Sequence, residues 1–172
     1  MSEEQEIRVA KDGLMLPFSA EAEQSVLGSI LLNADCLVDV MELLPTSDYF
    51  HLSTHKVIYQ CMLELFTLNH PVDVVTVLEK LKNREGYSDA ETKNYLMQLA
   101  QFVPKVHRVK EYAGIVRDNY QLRKLILSAR EIIDSAESPE GDISRGLGIN
   151  PQNSDIHKKK EKKNKEDNNQ DA

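Results

Sequence analysis

From residue 17 onward, apolar residues recur every three or four positions, and the element this spacing predicts is the helix. Pro17-Phe18-Ser19 opens the first one, with Ser19 as N-cap. Glu21 and Glu23 fall in the first turns, where the helix dipole favours acids. Ala22, Val26, Leu27, Ile30 and Leu31 make its apolar stripe. Gly28 costs about 1 kcal/mol against Ala inside a helix, which points to a close helix–helix contact at that position. Asp35 can cap a second, short helix with Leu37, Val38, Met41 and Leu44 inside, stopped by Pro45. Tyr49 and Phe50 in the connector plug the core. A third helix from Ser53 carries Val57, Ile58, Cys61, Met62, Leu65 and Phe66, and Asn69-His70-Pro71 ends it. Asp73 caps a fourth helix with Val77, Leu78 and Leu81 on one face, and Gly86 breaks it. The stretch from Val72 to Val77 is β-prone, but Asp73 and Thr76 fit a helix start better. A fifth helix runs from about Thr92, with Tyr95, Leu96, Leu99 and Ala100 inward, to a stop at Pro104.

The sixth segment is longer than a small globule needs. Residues 108 to about 137 contain no Pro and one Gly, Gly114, and span roughly 40 Å at the helical rise. Val109, Tyr112, Ala113, Val116, Tyr120, Arg123, Leu125, Ile126, Ala129, Ile132 and Ile133 keep much of one side apolar. A helix with an apolar face to its far end is expected to protrude and to need a partner there. Beyond Pro139 come Gly141, Gly146 and Gly148, and the helical pattern fades.

Composition narrows the function classes. The 172 residues carry 21 Lys and Arg against 28 Asp and Glu, a formal net charge of -7. Six of the lysines, Lys158, Lys159, Lys160, Lys162, Lys163 and Lys165, and five acids lie in 151–172. The rest is therefore distinctly acidic. That suits basic protein partners better than an unaided grip on phosphate backbones. The Lys-rich end is almost free of apolar residues and reads as a solvated, disordered tail; the competing reading is an arm that touches nucleic acid. No apolar run approaches a membrane span. The start, Met-Ser-Glu-Glu-Gln-Glu, lacks signal-peptide character. Cys36 and Cys61 sit among apolar residues and read as buried thiols of a reducing compartment. Together these point to the cytoplasm.

The search for chemistry finds little. No phosphate-cradling Gly-x-x-x-x-Gly-Lys-Ser/Thr loop and no Gly-x-Ser-x-Gly elbow is present. Arg145-Gly146-Leu147-Gly148 is Gly-rich but has no Lys-Ser/Thr after it and no strand before it. His51 and His55 have the i, i+4 spacing that can present two imidazoles to zinc. However, Leu52 stands where a metalloprotease has Glu, and no fourth ligand is evident. A capping or surface His51 and a packed His55 is the plainer reading. Glu21 and Glu23, two residues apart, point to different faces and form no acid–base pair.

Several stretches together carry a resemblance. Pro-Phe-Ser-Ala-Glu-Ala-Glu-Gln-Ser-Val-Leu-Gly-Ser-Ile-Leu-Leu from Pro17 comes first. Phe50, His55 and Ile58-Tyr59 follow, then Pro71-Val72-Asp73-Val74-Val75-Thr76-Val77, then Tyr95-Leu96 with Leu99, and last Tyr112-Ala113-x-Ile115-Val116-Arg117 with Arg123. In this order and spacing the chain resembles the N-terminal domain of the bacterial replicative DNA helicase, DnaB.

The resemblance implies an all-α fold: a compact head of about five short helices, then one long protruding helix that is part of a helical hairpin. It divides the chain into a flexible leader, 1–16, a helicase-type N-terminal domain, 17–142, and a disordered Lys/Asn-rich tail, 143–172. In the family such domains pair through their hairpins and build a trimer-of-dimers collar on the hexameric ring. That collar docks the primase's C-terminal helicase-binding domain and, in some lineages, loader proteins. Tyr112, Val116, Tyr120, Arg123 and Ile126 are the expected interface. Ser19, Glu21, Glu23 and Asp73 are the expected caps and first-turn acids. Full-length members use ATP and Mg in a motor domain whose Walker motif, DNA-binding loops and arginine finger have no counterpart in these 172 residues. The expectation is thus an interaction module with no catalytic, cofactor or metal residues, meeting DNA only indirectly and associating with itself, with primase or with full-length helicase. A metal-binding protein or hydrolase built on His51 and His55, and a DNA-binding regulator using the Lys-rich tail, are the alternatives from other classes.

Overall fold

The computed structural model describes residues 15–137, apart from 85, 88 and 104. The expected leader up to residue 14, the stop at Pro104, the break after Pro139 and the Lys-rich tail lie outside these residues. Within them the chain is helical, with six α-helices: α1 (Ala20–Leu32), α2 (Leu37–Leu43), α3 (Ser53–Thr67), α4 (Val74–Lys82), α5 (Asp89–Phe102) and α6 (Val109–Glu137). Short 3-10 turns precede α2, α3 and α6. The chain divides into two units, and the division falls inside α6, between Lys124 and Leu125.

Local chemistry sets most of the helix ends. The Ser19 hydroxyl accepts from Ala22 N at 3.2 Å and starts α1. Asp73 starts α4 with a reciprocal capping box. Its carboxylate accepts from Val75 N at 2.8 Å and Thr76 N at 2.9 Å, while Asp73 N donates to Thr76 Oγ1 at 3.0 Å. At the far end of α3, Asn69 takes φ +55°. His70 N then donates to Leu65 O and Asn69 N to Phe66 O, so two orphan carbonyls find partners and the helix cannot continue.

Three details depart from the spacing argument. Asp35 does not cap α2: Asn33 accepts from Asp35 N at the 3-10 turn, and α2 starts at Cys36 without a side-chain cap. Val38 is 51% exposed, because Leu37, Val40, Met41 and Leu44 already fill the inward stripe of so short a helix. Phe66, expected inside, is exposed, and α5 begins three residues before Thr92.

In the first unit α1 packs along α5, α4 bridges α3 and α5, and α3 rests on α1. The core between them holds Leu27, Ile30, Leu37, Phe50, Tyr59, Met62, Leu81 and Leu96, all fully buried. Gly28 lies where α1 and α5 touch: a Cβ there would run into Leu99 O and the Val103 side chain. The close contact expected from its sequence position is real. Tyr59 keeps its hydroxyl satisfied by donating to Leu44 O at 2.7 Å, and burial pushes the phenol's pKa upward. Cys36 and Cys61 are free, buried thiols, and burial with the nearby Asp39 carboxylate raises Cys36 to about 11.

The second unit contributes the last turns of α6 to the described residues. Leu125, Leu127, Ile132 and Ile133 are exposed there, as are Ala129 and Ala136.

Candidate interaction surface

Two buried polar clusters organise the first unit. Glu23 lies in the first turn of α1, but its carboxylate turns inward instead of capping the helix. It accepts from His51 N at 2.6 Å and Leu52 N at 3.3 Å, just ahead of α3. It also takes His55 Nδ1 at 2.7 Å. A carboxylate only accepts, so Nδ1 donates to it, and Nε2 shares a hydrogen bond of 2.6 Å with the Tyr95 hydroxyl. Glu23 and His55 are almost wholly buried. One hydrogen-bonded line thus ties α1, the start of α3 and α5 together. Glu23 is thus the first-turn acid expected, with its carboxylate directed to the start of α3 instead of to its own helix. Glu21, two residues earlier, is exposed in the same turn.

The second cluster centres on Arg123, which is 6% exposed. Its guanidinium donates to Pro17 O at 2.9 Å and to Tyr49 O at 2.6 Å. It lies over the Tyr120 ring, which in turn stacks on Tyr49 with centroids 4.2 Å apart. Burial lowers the guanidinium's pKa, while the nearby Glu23 charge works to raise it.

These contacts reassign the expected interface. Val116 is 2% exposed and Arg123 is engaged within the chain, so neither presents surface to a partner. Tyr112 packs against the core and Tyr120 against Tyr49. The physical reason is the face they share. At 100° per residue Val109, Ala113, Val116, Tyr120 and Arg123 fall on one side of α6. That side is occupied within the first unit. Ile126, half-buried, falls elsewhere.

On α6 Ile115 and Leu122 are exposed in the first unit. In the second unit, taken by itself, Leu125, Ala129, Ile132 and Ile133 form an exposed apolar row at helical spacing, with Ile126 at its edge. Leu125 is the barest at 66% exposed and Leu122 is 50% exposed. Scattered exposed apolar residues are ordinary, whereas these recur at helical spacing.

The histidine alternative fails on geometry. Both ring nitrogens of His55 are committed, to Glu23 and to Tyr95, and the His51 ring stacks on Phe18 at 4.5 Å. Among the described residues no group of three or more His, Cys, Asp or Glu side chains is placed to hold a metal ion.

Comparison with known proteins is decisive. Residues 15–118 match the family model of the DnaB-like helicase N-terminal domain. The chain belongs to the DnaB helicase N-terminal domain family. The replicative DNA helicase DnaB of Geobacillus stearothermophilus is 36% identical over 127 residues, and that of Buchnera aphidicola 34% over 132. These alignments cover 74% and 77% of this chain but 28% of each helicase, so the chain spans under a third of the length of those DnaB relatives. The crystal structure of the N-terminal domain of DnaB helicase from Mycobacterium tuberculosis superposes with a TM-score of 0.72 at 30% identity, covering 78% of this chain and 97% of that one. A structure of a DnaB-like replicative helicase and its interactions with primase gives a TM-score of 0.61 at 26% identity, covering 84% and 35%. The DnaB resemblance and the all-α fold with one long helix therefore stand. No helix among the described residues is long and apolar enough to cross a membrane.

The inward roles of Glu23 and Arg123 in this DnaB-type domain were missed from sequence. Polar side chains give no period that separates a buried acceptor from a solvated one. The signal available was Arg123 itself, a cation in line with Val109, Ala113, Val116 and Tyr120.

Proposed function

We propose that this chain works as the oligomerisation and primase-docking module of a replicative DNA helicase, acting in DNA replication as a scaffold. Its partners on this reading are further copies of the chain and the primase's C-terminal helicase-binding domain. The observation that carries the reading is the exposed apolar row of Leu125, Ala129, Ile132 and Ile133 in the second unit, in a chain of the DnaB N-terminal family. The DnaB-like relative solved for its interactions with primase supports the choice of partner. An acidic surface, with a net charge of -7 for the chain, favours a partner of opposite charge and faster association at low salt.

The test is a calorimetric titration with the helicase-binding domain of the host's primase, run beside light scattering for mass. Saturable binding and a mass of a dimer or more are expected. The variant Ile132→Asp should keep the helix content and lose the larger mass. Absence of both binding and association would overturn the reading.

A further inference from the structure

We infer that the connector 49–52 is a charge latch. The Arg123 guanidinium of α6 holds one end, the Glu23 carboxylate of α1 holds the other, and loss of either charge loosens both. The inference does not depend on the docking reading above and concerns the first unit alone.

Glu23 and Arg123 are both buried, and a buried charge is costly unless it is hydrogen-bonded and opposed by another. Backbone joins these two. Tyr49 O accepts from Arg123 at 2.6 Å. Two and three residues on, His51 N and Leu52 N donate to Glu23 at 2.6 and 3.3 Å. The negative end of one peptide dipole therefore faces the cation, and the positive ends of the next two face the anion. Each charge favours the backbone conformation that the other also favours, and the two are coupled through it. The electrostatics agree: the Glu23 charge opposes the effect of burial on the Arg123 guanidinium.

The connector has little regular structure of its own. The 3-10 turn Ser47–Tyr49 stops before Phe50, and α3 begins only at Ser53. The buried Phe50 ring pins its middle, so its two ends are what the charges hold. A second path runs through Pro17, whose carbonyl accepts from Arg123 at 2.9 Å just ahead of the helix that carries Glu23. Each end is also covered by a ring, Tyr120 on Tyr49 and Phe18 on His51. Glu23 further grips His55, which reaches Tyr95 on α5. An event on α1, α3 or α5 that displaces the Glu23 carboxylate is thereby felt on α6, although the hydrogen bonds of Glu23 go to the connector and to α3.

Amide hydrogen exchange of the full chain under native conditions tests the coupling. Helix α4 is the internal reference, because Val77 and Leu81 are buried and lie outside the latch. Glu23→Gln keeps the size of the side chain and removes its charge. It should speed exchange at residues 117–123 of α6 at least about fivefold beyond any change in α4. Coupling is reciprocal, so Arg123→Met should speed the His51 and Leu52 amides by a similar factor. The double variant should exchange within about twofold of the faster single, since a latch opened at one end has little left to lose at the other. Amides of α6 that move only in step with α4 in Glu23→Gln would mean a general weakening of the head and overturn the latch. Rates that multiply in the double variant would mean two independent clusters and overturn it as well. Arg123→Lys keeps the charge with a single point donor and should disturb His51 and Leu52 less than Arg123→Met does. Equal disturbance would mean that charge is not what the connector senses. The Arg123 variants are read at His51 and Leu52 with Glu23 intact, so the latch stays testable should Glu23→Gln not fold.

Discussion

Glu21 and Glu23 look alike on paper: two acids in the first turn of one helix. The structure separates them entirely. Glu21 meets solvent, while Glu23 serves two backbone N–H groups and the His55 imidazole inside the core. Removing a buried acceptor strands its donors at about 1–3 kcal/mol each. We therefore expect Glu23→Ala to destabilise the chain by about 2–4 kcal/mol in urea unfolding, and Glu21→Ala by no more than about 0.5 kcal/mol. Equal effects would reduce the Glu23–His55–Tyr95 line to an incidental contact. The contrast also marks how far single residues were legible. Ser19 and Asp73 announced themselves because a cap acts on its own helix, within three residues. Glu23 acts on residues 28 to 32 positions away, and sequence spacing along one helix carries no trace of such a partner.

Helices were easier to read than single polar residues, because apolar period and punctuation reinforce one another. Asn69 ends α3 and Asp73 opens α4 within five residues, each by a backbone device its side chain favours. The start of α5 was less visible: its first turn precedes the apolar period that marks Thr92. Two glycines inside helices show what an element-level argument can and cannot foresee. Gly28 sits against α5, whereas a Cβ on Gly114 would meet open space. Both gain about 1 kcal/mol of helix propensity on substitution by Ala. At Gly28 the new methyl strikes the backbone of α5, and overpacking of about 1–3 kcal/mol outweighs the gain. Gly28→Ala should therefore lower the thermal midpoint and Gly114→Ala should raise it, by calorimetry on matched samples. A stabilised Gly28→Ala would mean that α1 and α5 are not in close contact.

At the scale of the whole molecule the informative feature is that α6 is apolar on two sides. The length of the helix followed from the sequence, since thirty residues without Pro exceed what a small head requires. Which side would be covered did not follow. Tyr112, Val116, Tyr120 and Arg123 form as regular a stripe as Leu122, Leu125, Ala129 and Ile132, and period alone cannot say which stripe meets the rest of the chain. Packing decides it: Arg123 is held by Pro17 O and Tyr49 O, while Leu125, two residues on, stands in solvent. On the proposed reading, packing within the first unit and association through the second use different residues of α6, and neighbouring substitutions should separate them. Arg123→Ala leaves two part-buried carbonyls without their donor and removes the support beneath Tyr120; at roughly 2 kcal/mol it should cost about 4–8 °C in thermal midpoint at any protein concentration. Leu125 is mostly exposed, so Leu125→Asp costs the isolated chain little packing, and at high dilution its midpoint should stay close to the parent's. At high concentration an associating parent gains stability by mass action and Leu125→Asp does not, so the two midpoints should diverge as protein is added. Midpoints that stay together across a hundredfold range of concentration would show that the outward stripe of α6 holds no second chain.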